Sequence, residues 1–101
     1  MPASKSVAAI TLGQRVREAR LRLGLSQEDI AELAGLHWTN WGKVERGVAN
    51  PNFLTIVRIA AALEIDPGEL VRGIGVDSLP ERRHQLTASE LLRERERRAE
   101  H

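Results

Sequence analysis

The chain has 101 residues, with 15 Lys or Arg against 14 Asp or Glu, 42% hydrophobic and 3% aromatic residues, and no cysteine. That length holds one small domain whose core must come mainly from Leu, Ile, Val and Ala, and with neither a disulfide nor a thiolate metal site available, packing alone must hold it. A formal net charge of +1 neither requires nor excludes a nucleic-acid partner, so the placement of the charges has to decide.

No apolar run reaches the length of a membrane span, and MPASKSVAAITLG is too short in its apolar part for a signal peptide, so a soluble, cytoplasmic protein is expected. Residues 1–9 are read as a flexible N-terminus. In TLGQRVREARLRLG the apolar positions Leu12, Val16, Ala19 and Leu23 recur at helical spacing, with Thr11 as the expected N-cap and Gly24 as the stop. SQEDIAELAG follows as a second helix, with Ser26 as N-cap, Glu28 and Asp29 complementing the dipole in the first turn, and Ile30, Leu33 and Ala34 as its apolar face. Gly35 and Leu36 make a tight turn, and a third short helix is expected from about Trp38 to Arg46, closed by Gly47.

VANPN is a loop in which Pro51 keeps Asn50 out of the helical region. FLTIVRIAAALEI is a fourth helix with Phe53, Ile56, Ile59, Ala60 and Leu63 on one face, and DPGELV starts a fifth, with Asp66 as N-cap and Pro67 in the first helical position. No stretch alternates long enough for a strand, so the fold class is all-α: a compact five-helix domain over residues 10–75. Residues 76–101 are read as a linker through Pro80 and a charged C-terminal helix, TASELLRERERRAEH, which opens with a capping box from Thr87 to Glu90. With only Leu91, Leu92 and Ala99 apolar after the cap, this helix lacks a face wide enough to join the core and is expected to be marginal alone, either frayed in solution or ordered against a partner or second subunit.

The second helix, the turn at Gly35 and the third helix form a helix-turn-helix unit. SQEDIAELAGLHWTNWGKVERG followed by NPNFLTIVRIAAALEIDPGEL resembles the DNA-binding domain of the Cro and phage repressor (XRE) family over roughly residues 10 to 72. Gln27, Ala31, Gly35, Glu45, Gly47, Pro51, Ala60, Leu63 and Leu70 stand at the family's spacing; together they are specific, whereas Q-x-x-x-A-x-x-x-G alone would be weak.

The resemblance implies a role for each matched position. His37, Trp38, Thr39 and Asn40 form the leading end of a recognition helix with Lys43 one turn on; residues 38, 39 and 43 are best placed for base edges, Lys43 toward guanine O6 or N7 and the Thr39 methyl toward a thymine methyl. Gln27, Arg46, Asn50 and Asn52 fall where the family meets the sugar-phosphate backbone. Trp41 takes a buried aliphatic position while Trp38 faces DNA; the competing placement for Trp38 is folded back over the second helix. Arg20 and Glu45 are expected to form a partly buried bidentate pair that sets the angle of the recognition helix, against the alternative of two solvated charges.

Two departures from the family stand in the third helix. His37 replaces the usual Ser or Thr cap, and Gly42 replaces a small polar residue at a cost of roughly 1 kcal/mol, here read as room beside Trp41 rather than close approach to DNA. Arg15 and Arg22 are read as solvent-facing, and His84 and His101 have no companions suggesting a metal or catalytic role.

The function expected is a sequence-specific transcriptional regulator, a repressor or autoregulator binding double-stranded DNA as a homodimer on a two-fold site. Leu70, Val71 and Ile74, or Leu91 and Leu92, are the candidates for the dimer surface. The alternative is an antitoxin-like interaction module whose tail, residues 76–101, binds a protein partner. No nucleophile with its base, metal cluster or phosphate loop is visible, so neither enzymatic activity nor a cofactor is expected.

Overall fold

The structure is a computed structural model that describes residues 6–79 and 86–100. Met1 to Lys5 of the expected flexible N-terminus, residues 80–85 of the linker, His84 among them, and His101 lie outside the described residues.

Six α-helices and one short 3-10 turn follow in order, with no strand among the described residues: α1 (Val7–Leu23), α2 (Gln27–Ala34), α3 (Trp38–Glu45), α4 (Phe53–Leu63), α5 (Pro67–Val71), the turn Val76–Ser78, and α6 (Ala88–Ala99). Each helix starts where a side chain can accept an orphan backbone N–H. Ser26 Oγ accepts from Asp29 N–H at 3.1 Å, Asn52 Oδ1 from Thr55 N–H at 2.8 Å and Asp66 Oδ1 from Gly68 N–H at 3.2 Å. The capping box of α6 is closed in both directions between Thr87 and Glu90.

The first helix begins earlier than its apolar stripe suggests. Ser6, not Thr11, is its cap, accepting from Ala9 N–H at 3.0 Å. Val7 to Ile10 carry no helix breaker, so the helix runs back to the first hydroxyl able to close it. Gly24 and Gly35 end α1 and α2 in the left-handed region at φ 72° and 69°. Helix α4 ends the same way on Glu64, at φ 58°, the one described residue other than glycine with positive φ.

The core gathers Leu12, Val16 and Ala19 of α1, Ile30, Ala31 and Ala34 of α2, Trp41 and Val44 of α3, Ile59, Ala60 and Leu63 of α4, and Leu70 of α5. Three expected core residues lie outside it. Leu23 is 43% exposed because α1 overhangs the core at its last turn, where Leu25 beyond the cap packs inward instead. On α2 the inward stripe is Ile30, Ala31 and Ala34, which turns Leu33 out to 68% exposure. Phe53 is 73% exposed, since the first turn of α4 projects past the core and holds no fully buried residue.

Two contacts lock α1 in place. Arg15, read from sequence as solvent-facing, donates from Nη1 to the Leu70 carbonyl at 3.1 Å and so ties α1 to the end of α5. Gly13 lies against the last turn of α3: a Cβ there would meet the carbonyl oxygens of Val44 and, at 2.7 Å, Glu45. No residue of α6 is buried.

Candidate nucleic-acid interface

Helix α3 divides its eight residues between two environments. Trp41, Val44 and Glu45 face inward together with Gly42, while Trp38, Thr39, Asn40 and Lys43 are exposed, as are the flanking His37 and Arg46. Positions three and four apart share a helical face, so Trp41 with Val44 and Glu45 makes the buried side and Thr39 with Lys43 the outward one. The two tryptophans are therefore separated: Trp41 is 0% exposed and Trp38 53%.

The leading end of α3 is organised by His37. Its Nδ1 accepts from Thr39 N–H at 3.1 Å, a cap made by a ring nitrogen instead of a hydroxyl. The same ring stacks on Trp38, centroids 5.9 Å apart and planes 26° from parallel, which places the two rings side by side in solvent. Lys43 and Asn40 line a shallow groove with Asn50 and Asn52 of the loop that follows, so these four polar residues converge on one surface.

Beneath that surface lies a network on the Glu45 carboxylate. Arg20 donates from Nε to Oε2 at 2.6 Å and from Nη2 to Oε1 at 2.9 Å, a bidentate fork, and its remaining Nη1 reaches the Leu25 carbonyl at 2.9 Å. Gln27 Nε2 donates to Oε1 at 3.1 Å, and the indole N–H of Trp41 donates to Oε2. Trp41 can thus occupy a position expected for an aliphatic side chain, because an acceptor four residues on satisfies its N–H. Arg20 and Glu45 are each 9% exposed, and no buried side-chain nitrogen or oxygen among the described residues lacks a partner.

Burial pushes the Glu45 carboxyl up, but hydrogen bonds from Arg20, Trp41 and Gln27 and the arginine charge outweigh it and hold it below the ordinary carboxylate range. The hydrogen bond to Glu45 raises Arg20 above its ordinary value, against the opposing effect of burial. Both groups are charged throughout the neutral range.

Two of the expected phosphate-contacting residues also carry structural duties. Gln27 commits an amide hydrogen to Glu45, which leaves one hydrogen and the carbonyl oxygen for an outside partner. Asn52 spends its oxygen on the α4 cap and keeps its amide nitrogen. A Cβ built at Gly42 would stand 3.0 Å from Arg46 Nη1 and 3.6 Å from Gln27 Oε1, so its bare side faces the start of α2. The close approach at Gly13 and the Arg15 bond to Leu70 were not legible beforehand. A glycine inside a helical run was their only sequence signal, and it stood at Gly13 alone.

The short helices α2 and α3, joined through Gly35 and Leu36 over a packed core, with a polar outward arc on the second, define a helix-turn-helix protein. A family model described as a helix-turn-helix domain matches residues 11–84, and the chain belongs to that family. It is similar to control protein C.SmaI of Serratia marcescens, 38% identical over 65 residues that cover 64% of this chain and 77% of the relative. Control protein C.BamHI of Bacillus amyloliquefaciens is 36% identical over 63 residues, 61% of this chain and 78% of that protein.

Among solved structures, the restriction-modification controller protein C.AhdI from Aeromonas hydrophila superposes with a TM-score of 0.60 at 47% identity, over 61% of this chain and 94% of that one. The P22 c2 repressor protein, solved in complex with a synthetic operator, gives a TM-score of 0.58 at 26% identity over the same shares. The fold is that of the phage repressors, and the family is one of DNA-binding transcriptional regulators.

Proposed function

We propose that this protein regulates transcription by reading the major groove of an operator with α3, as a repressor or autoregulator of the controller type. Trp38, Thr39 and Lys43 contact base edges, flanked by His37 and Asn40, and Gln27, Arg46, Asn50 and Asn52 hold the sugar-phosphate backbone. The observation that carries this reading is the division of α3, whose exposed arc bears every proposed base contact while its buried arc is fixed by the Arg20–Glu45 pair. A reading helix needs both a free face and a set angle. The relatives named as control proteins support the regulatory role, and the repressor solved with an operator supports the docking mode.

The protein acts as a dimer over residues 10–75, because one domain of this size buries modest area on DNA and two half-sites multiply both affinity and selectivity. Leu70 is 1% exposed and cannot supply the dimer surface; Val71, at 43%, remains open beside the half-buried Ile74. Residues 76–101 form a separate tail. The exposed Leu91 and Leu92 of α6, at 40% and 58%, favour a second role for that tail in contacting another protein or subunit. The test is titration of the purified protein against the DNA upstream of its own coding sequence across a salt series, with the mass of the complex measured. Salt-sensitive binding that resists competitor DNA, by two chains per site, supports the reading; weak, unselective binding removes it.

A further inference from the structure

We infer that Gly42 is a positioning residue for Arg46, leaving a bare strip on α3 along which the Arg46 guanidinium lies back toward Gln27 at the start of α2. The inference rests on the DNA-binding reading above and deepens it, naming what holds the phosphate-gripping arginine.

A helical side chain covers the turn N-terminal to its own Cα, so the side chain of residue 46 runs over residue 42. Arg46 is bound to Gly42 through the backbone as well, its N–H donating to the Gly42 carbonyl at 3.0 Å. A Cβ at position 42 would stand 3.0 Å from Arg46 Nη1, 3.9 Å from its Cζ and 3.6 Å from Gln27 Oε1. All three are side-chain atoms, two of them on a flexible arginine. Contrast Gly13, where a Cβ would strike backbone carbonyls that cannot withdraw. Packing demands glycine at position 13 but not at 42.

Helix propensity argues against glycine at 42 as well, since alanine is the better residue in a helix interior. What the glycine preserves is the path of the guanidinium. Its placement matters electrostatically, because Glu28 and Asp29 put two carboxylates in the first turn of α2, where a phosphate would otherwise meet mainly negative charge. A guanidinium beside Gln27 supplies the compensating positive charge and a planar set of donors that fits a phosphate. With a methyl group at 42 the arginine must leave that path, and it loses pre-organisation rather than charge.

The test uses the full chain and two probes: a duplex that the parent protein enriches from a random-sequence pool, and a mixed-sequence duplex that it does not enrich. Affinities of the parent, Gly42→Ala, Arg46→Ala and the double variant are measured across a salt series, beside thermal unfolding of each. Gly42→Ala is expected to melt at or above the parent's temperature yet bind both duplexes roughly tenfold more weakly, as loss of one charge-assisted contact implies. Its slope of log affinity against log salt should shrink by about one, the mark of one lost phosphate contact. In the Arg46→Ala background the same change should do nothing further.

Parent-like affinity and slope for Gly42→Ala, or an equal loss in the Arg46→Ala background, would overturn the inference. So would a lower melting temperature, which would make Gly42 a packing residue. A parent that enriches no duplex overturns the DNA-reading function itself, a failure distinct from the others because it precedes any variant.

Discussion

Arg20 of α1 meets both carboxylate oxygens of Glu45 in the last turn of α3, at 2.6 and 2.9 Å, so the helix that frames the domain grips the helix that presents the reading surface. A fork of two parallel bonds has one orientation, which a single contact would not. Removing one partner strands the other in a nearly dry site. Arg20→Ala or Glu45→Ala should therefore cost about 3 kcal/mol in urea unfolding, and the double variant should cost less than the sum. Additive losses would show that the two side chains act independently.

The same pair fixes the sign of the acid response. Glu45 is held below its ordinary value near 4.5 in the folded state, so the unfolded chain binds its proton more readily. The stabilisation is thus present above that value and is lost as pH falls through the lower folded value. Arg20, raised above its ordinary value, contributes below that value and loses its contribution only as pH rises through the still higher folded one. The melting temperature should be insensitive to this pair across the neutral range and fall in acid. Glu45→Gln should flatten the acid fall while lowering the neutral plateau; an unchanged acid limb in that variant would place the titrating group elsewhere.

The two tryptophans should separate in both stability and fluorescence. Trp41→Ala empties the centre of the core and leaves Glu45 short of a donor, at about 3–5 kcal/mol. Trp38→Ala, at an exposed position, should stay within about 0.5 kcal/mol. An aqueous quencher should reach Trp38 and spare Trp41, and operator binding should protect Trp38. Equal quenching of both rings in single-tryptophan variants would contradict the division of α3.

Backbone conformation yields a pair of opposite predictions. Glu64 holds φ 58°, where a side chain is strained and glycine is not, so Glu64→Gly should raise stability by up to about 1 kcal/mol. Gly13→Ala forces a methyl group into the carbonyls of Val44 and Glu45 and should cost about 1–3 kcal/mol or more. Thermal unfolding of the two variants reads both signs.

The helices were legible in the sequence because periodicity and caps agreed: Ser26 with Gly35, Asp66 with Pro67, Thr87 with Glu90. Errors fell where one signal stood without the other. Thr11 looked like a cap because it precedes the apolar stripe, yet Ser6 lay within reach of a helix that nothing interrupted. Leu33 and Phe53 have core-type side chains, but spacing alone does not say that the inward stripe of α2 runs through Ile30, Ala31 and Ala34, or that the first turn of α4 projects past the core. Within the site, the family resemblance could name Arg20 with Glu45, but not the convergence of Trp41 and Gln27 on the same carboxylate. Nor could it show that Gly42 opens toward Arg46 and Gln27. Those depend on how α2 and α3 cross, which no stretch of sequence states locally.

The central claim is that the exposed arc of α3 chooses the DNA sequence. Its most direct test is the affinity of the parent and Lys43→Ala for the enriched duplex and for mixed-sequence DNA at one fixed salt concentration. We expect Lys43→Ala to lose about 1–3 kcal/mol on the enriched duplex and much less on mixed-sequence DNA, with an unchanged melting temperature. If the variant keeps the parent's ratio between the two duplexes, Lys43 contributes only charge, and the arc on which it lies does not read the operator.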